Sequence, residues 1–152
     1  GILMRVVGDP SVEALNALLL HYARIFSGVE HKLGKIEENM AGKKQQPIEI
    51  PREIGEVLCS TEGVRPLCYI AQSNATKNIP TLQVALSNSF HRKLVHLLCE
   101  VHSLTSERVE LVGENKEVRK GVEIGFPAVC VAAMLSRADD AKMTLSQQLQ
   151  YD

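Results

Sequence analysis

Asn88-Ser89-Phe90-His91-Arg92-Lys93-Leu94-Val95-His96-Leu97-Leu98-Cys99-Glu100-Val101-His102 is the stretch on which the reading of this chain turns. Apolar residues stand at 90, 94, 97, 98 and 101, the spacing of one helical face. Asn88 or Ser89 offers a side-chain acceptor to the first free amides of such a helix. Arg92 and His96, four apart, point away from the apolar positions. The spacing therefore predicts an amphipathic helix with an apolar side for a core and a cationic, titratable side for something else.

The flanking segments read as a sheet. Thr81-Leu82-Gln83-Val84-Ala85-Leu86 alternates as a half-buried strand does, and residues 67–71 form an apolar run of strand length. The turn-rich residues 73–80 would let these two pair. Beyond the helix, residues 108–112 and 117–124 flank Gly113-Glu114-Asn115-Lys116, a turn by composition. Val109, Leu111, Val118, Val122 and Ile124 are expected to face inward. Phe126-Pro127 opens an apolar segment, 128–135, read as a closing helix that stops near 136–142. Towards the start, Asp9-Pro10-Ser11 is a helix start, because aspartate or serine caps and proline is tolerated in the first turn. From there Val12, Leu15, Leu18, Leu19, Tyr22, Ile25, Phe26, Val29, Leu33, Ile36 and Met40 keep helical spacing, predicting one long amphipathic helix over 11–40, bent near Gly28 or Gly34. Residues 45–51 read as a connector, and residues 51–59 as a short helix broken by Ser60-Thr61-Glu62-Gly63. The expected fold is α+β: a small antiparallel sheet with helices packed on one face, preceded by a long amphipathic helix. The expected organisation is a helical segment over 1–63, a small α+β domain over 64–138 and a tail over 139–152.

Composition narrows the function. At 152 residues, 45% hydrophobic, the chain is long enough to bury a substantial core. A net charge of −1 and a pI near 6.6 supply no global attraction to nucleic acid or membranes, so any phosphate-binding function must come from a local patch. No run approaches the roughly 18 apolar residues of a membrane helix. The start, Gly1-Ile2-Leu3-Met4, lacks the pattern of a secretory signal. Cys59, Cys68, Cys99 and Cys130 show no metal register with the histidines and read as small buried hydrophobes in a reducing compartment. His21 and His31, ten apart, fit no metal spacing either. Cys99 with His96 and His102 lacks an activating setting or an oxyanion site. A non-enzymatic protein without cofactor, nuclear or cytoplasmic, is expected.

Residues 82–124 resemble the small single-stranded nucleic-acid-binding domain named for an arginine and a histidine separated by three residues, found in Smubp-type helicases and X-box-binding zinc-finger transcription factors. The matching text is Arg92-Lys93-Leu94-Val95-His96, then Leu97-Leu98-Cys99-Glu100-Val101, Leu104-Thr105-Ser106, and Arg119 ahead of the last strand. The resemblance implies that Arg92 and His96 are the signature pair, with Lys93, Arg119 and Lys120 extending a basic patch. Two features depart from it. The helix ends at His102-Ser103, where the family commonly has glycine. Moreover, Glu107, Glu110, Glu114 and Glu117 make the hairpin acidic.

Binding of single-stranded RNA or DNA to the phosphate backbone, with low sequence specificity and strong salt dependence, is the function that these residues suggest. His96, with a reference pKa of about 6.5, would strengthen it at mildly acid pH. The alternative for Arg92 and His96 is a solvated helix face, or bridges to Glu110 or Glu123. The alternative for the whole chain is a protein-interaction or assembly module of a ribonucleoprotein, working or self-associating through residues 11–40.

Overall fold

The computed structural model describes residues 5–6, 8–27, 45–72, 79–113 and 115–141. Helix α1 spans Pro10–Ser27 and starts as its sequence dictates: Asp9 Oδ1 accepts the Ser11 amide at 2.8 Å, with Pro10 in the first turn. The expected continuation to Met40 lies outside the described residues. Within α1 the apolar stripe Val12, Leu15, Leu18, Leu19, Tyr22 and Phe26 is buried, packed with the other helices of the same chain. That stripe is not a free surface for a partner. Phe26 meets Phe126 with ring centroids 5.1 Å apart, and the Tyr22 hydroxyl donates to the Glu49 carbonyl at 3.2 Å.

Strand β1 is Gln45–Pro47, α2 is Arg52–Glu62, β2 is Cys68–Gln72 and β3 is Pro80–Ala85. Residues 45–47 are therefore an edge strand rather than a connector, antiparallel to β2, with Pro47 tolerated because the edge requires fewer donors. Helix α2 also outlasts its expected end. Ser60, Thr61 and Glu62 stay helical, and the stop is Gly63, at φ 74°, whose amide donates to the Cys59 carbonyl. The remaining elements are α3 (Ser89–His102), β4 (Thr105–Val112), β5 (Val118–Gly125) and α4 (Ala128–Ala141), the last ending within the expected 136–142. Together the described residues make an α+β fold whose five-stranded sheet has the order β1-β2-β3-β5-β4, antiparallel throughout.

One core gathers Ile70, Leu82, Val84, Val122 and Ile124 from one sheet face with Leu15 and Leu19 of α1, Leu58 of α2, Leu94 and Leu98 of α3, and Val131 and Met134 of α4. It is continuous across position 63, so the segments drawn at 1–63 and 64–138 share it. On the other face, Gln83 sits in a polar chain, taking a hydrogen bond from Gln45 Nε2 at 2.5 Å and giving one to Glu123 Oε2 at 2.6 Å.

The hairpin corrects the expected inward row. Val109 stands opposite Gly121 and Leu111 opposite Arg119, so the strand pleat puts both on the face away from Val122 and Ile124, where Leu111 is nonetheless fully buried, as expected, and Val109 half-buried. The core-side residues of β4 are Ser106, Arg108 and Glu110 instead. Val118, 63% exposed, lies at the hairpin end beyond the helices. Cys59 also departs from expectation, being exposed, whereas Cys68 and Cys99 are buried, and burial pushes both thiols up to about 12.

Helix α3 ends without glycine, on Ser103 at φ 60°, whose amide donates to the Cys99 and Glu100 carbonyls. A side chain in this left-handed conformation is disfavoured, so Ser103→Gly should raise stability by about 0.5–1 kcal/mol. Gly121 has the opposite requirement: a Cβ there would lie 2.4 Å from the Val84 carbonyl oxygen. Gly121→Ala should therefore cost about 1–3 kcal/mol, and urea unfolding of both variants checks the two signs.

Candidate nucleic-acid interface

The amide of Phe90 is capped by Asn88 Oδ1 at 2.8 Å, which sets the first turn of α3 as expected. The face that α3 buries is less expected. It consists of His91, Leu94, Val95, Leu98, Cys99 and His102, turned by about one residue from the stripe 90, 94, 97, 98 and 101. Two histidines belong to it because each finds a partner. His91 Nδ1 meets Glu62 Oε1 at 2.5 Å, and His102 Nε2 hydrogen-bonds Asn16 Oδ1 at 2.7 Å. Phe90 is consequently left 43% exposed.

Between the outer side of α3 and the β4–β5 hairpin lies an open cleft of about 800 Å³. Arg92, Lys93 and His96 line it from the helix, Arg108 and Lys120 from the hairpin, with Phe90 and Leu97 as its apolar wall and Glu110 as its acidic member. Lys120 stands directly opposite Glu110, and Arg108 opposite the core residue Val122. Both basic side chains therefore project from the helix-bearing face, past the end of the core.

Each of the site residues inferred from sequence has a definite place. Arg92 is not a bare cation: its Nη1 donates to the Leu86 carbonyl at 2.6 Å and to the Ser87 carbonyl at 3.0 Å, in the loop that enters α3. His96 Nδ1 shares a 2.7 Å hydrogen bond with Ser106 Oγ on β4. Neither forms a bridge to Glu110 or Glu123 among the described contacts. Lys93 and Lys120 are exposed in the cleft. Arg119 does not join them. It is the next residue along β5, so the pleat turns it to the other face, where Nη1 donates to the Arg65 carbonyl at 3.3 Å. Arg108 and Phe90 are the members that sequence reasoning missed. Once Val122 is known to be core, the even spacing from Glu110 to Arg108 would have revealed the first. The second stands at the apolar spacing of α3 and so reads as core.

Partial burial holds His96 below its ordinary value, the Arg108 guanidinium pushes in the same direction, and Glu100 opposes both. The ring is therefore neutral at pH 7 and becomes protonated only below about 6.5. Among the described residues no group of His, Cys, Asp or Glu side chains is placed to hold a metal ion, and no helix is long and apolar enough to cross a membrane. Comparison with protein-family models, with curated proteins and with solved structures finds no match. A pH titration of the His96 ring proton by NMR should give a midpoint below 6.5. Arg108→Ala should raise that midpoint, Glu100→Gln should lower it, and the reverse signs would refute the electrostatic account.

Proposed function

We propose that this chain is a non-enzymatic nucleic-acid-binding module that takes single-stranded RNA or DNA in the cleft between α3 and the β4–β5 hairpin. The observation that carries the reading is the gathering of Arg92, Lys93, His96, Arg108 and Lys120 around an exposed phenylalanine, on a chain whose net charge is −1. Four cationic side chains and His96, from two separate elements, converge on one concave surface, while the rest of the chain is net acidic. Phosphate is the ligand chemistry that such a set fits, since lysine and arginine neutralise it and a protonated histidine adds a charge-assisted donor. Phe90 adds what a bare anion would not need. An unstacked base can lie on its ring, and every base has a face for this, so the mode is tolerant of sequence.

Single strands fit better than a duplex, because a base must leave its stack to reach Phe90. Phosphate contacts orient the strand without reading it, so affinity is modest and specificity low. Glu110, and the acidic hairpin around it, weakens the local field and limits affinity further. Arg119, turned from the cleft, has no place in this mode, and the basic contribution of the hairpin comes from Arg108 and Lys120.

Fluorescence anisotropy with short single-stranded RNA and DNA at several salt concentrations tests the proposal. The double variant Arg108→Ala, Lys120→Ala should bind more weakly and flatten the slope of log affinity against log salt by about 1.4, since each phosphate contact on a single strand contributes about 0.7. Phe90→Ala should weaken binding by about 1–3 kcal/mol with the slope unchanged, and Arg119→Ala should resemble the wild type. Equal binding of an acidic peptide of matched charge, or indifference to these substitutions, would remove the nucleic-acid reading.

A further inference from the structure

Glu62, the last residue of α2, has a side chain only 1% exposed, although it is a carboxylate. Every contact that it makes reaches forward in the chain to the entrance of α3. Oε2 accepts from Ser87 Oγ at 2.6 Å and from the Asn88 amide at 3.0 Å, and Oε1 accepts from His91 Nδ1 at 2.5 Å. From the other side the same loop is gripped by Arg92, whose Nη1 holds the Leu86 and Ser87 carbonyls. Residues 86–88 are thus clamped between a buried carboxylate and a guanidinium that lines the cleft.

Resting on the nucleic-acid reading, we infer that Glu62 is a positioning residue of the cleft: it fixes the 86–88 loop, and the loop carbonyls in turn fix the plane of the Arg92 guanidinium. Glu62 touches no ligand. It acts by removing the rotameric freedom that arginine would otherwise lose on binding, which is how preorganisation improves affinity. Two observations support this role. Burial pushes the Glu62 carboxyl up, but the hydrogen bonds from Ser87, His91 and the Asn88 amide outweigh it and hold the group below the usual carboxylate range, so it stays ionised at neutral pH. Its charge also lies at the start of α3, where the free amides favour an anion.

The test uses the full chain, a short oligothymidylate as probe, and the variants Glu62→Gln and Ser87→Ala. Ser87 is exposed, so its substitution removes one arm of the clamp without disturbing the core, and it serves even where Glu62→Gln fails to fold. Two readouts are followed: the ¹⁵N–¹H spectrum of the Arg92 guanidinium and the affinity for the probe. Both variants should merge the separate Nη signals of Arg92 and weaken binding at least about threefold, while in an Arg92→Ala background they should weaken it no further, as coupled residues do. An unchanged guanidinium spectrum, or losses that simply add to that of Arg92→Ala, would overturn the inference. A wild-type chain that ignores oligothymidylate would instead refute the nucleic-acid reading, and the guanidinium spectrum would still decide whether Glu62 fixes Arg92.

Discussion

Everything on the outer side of α3 depends on two buried histidines having partners. An imidazole withdrawn from water without a hydrogen bond costs about 1–3 kcal/mol, enough to favour a different rotation of a helix whose apolar face is otherwise broad. Glu62 and Asn16 remove that cost at either end of the helix. With His91 and His102 accepted into the interior, the buried stripe becomes 91, 94, 95, 98, 99 and 102. Turned the other way, Phe90 would enter the core and the cleft would lose its aromatic wall. The composition of the cleft is thus set by two polar contacts that lie outside it, one to α1 and one to α2.

This explains what was legible in the sequence and what was not. Elements announced by capping or by strand alternation, such as α1 at Asp9, α3 at Asn88, β3 and the β4–β5 hairpin, were readable because their signals are local. The existence of α3 was plain, but its rotation was not, since histidine reads as polar until its partner is known, and those partners lie 29 and 86 residues away. The hairpin face failed for a related reason. Val109 and Leu111 read as partners of Val122 and Ile124, and only the register of β4 on β5 shows that they share a face with Gly121 and Arg119, Leu111 being buried there. The length of the turn decides that register, and a shift of one residue would exchange the faces. Edge strand β1 was missed because Gln45, Gln46 and Pro47 carry neither alternation nor β-branching, and pairing with β2 alone makes them a strand.

The same pleat divides the basic residues of β5. Arg119 and Lys120 are neighbours and would be treated as one patch in any sum of charge along the chain. In the sheet they serve different surfaces: Lys120 enters the cleft, and Arg119 reaches back to the carbonyl of Arg65. Conversely, Arg92 on the helix and Arg108 on the strand are brought to one surface. Charge patterning is therefore informative here only after the fold has been worked out.

The loop of residues 86–88 has a double role that constrains what the cleft can become. The Ser87 hydroxyl and the Asn88 amide face Glu62, while the Leu86 and Ser87 carbonyls face Arg92, so the loop satisfies a buried carboxylate and a cleft cation together. Lysine at position 92 would keep the charge but not the geometry. A guanidinium engages two carbonyls through one nitrogen and retains further N–H groups in a fixed plane, whereas an ammonium turned to the same carbonyls would have one donor left and no defined plane. Arginine at position 92 is thus favoured by contacts inside the fold, whatever the cleft binds. The chemistry that holds the start of α3 in place also leaves the remaining guanidinium donors at the lining of the cleft.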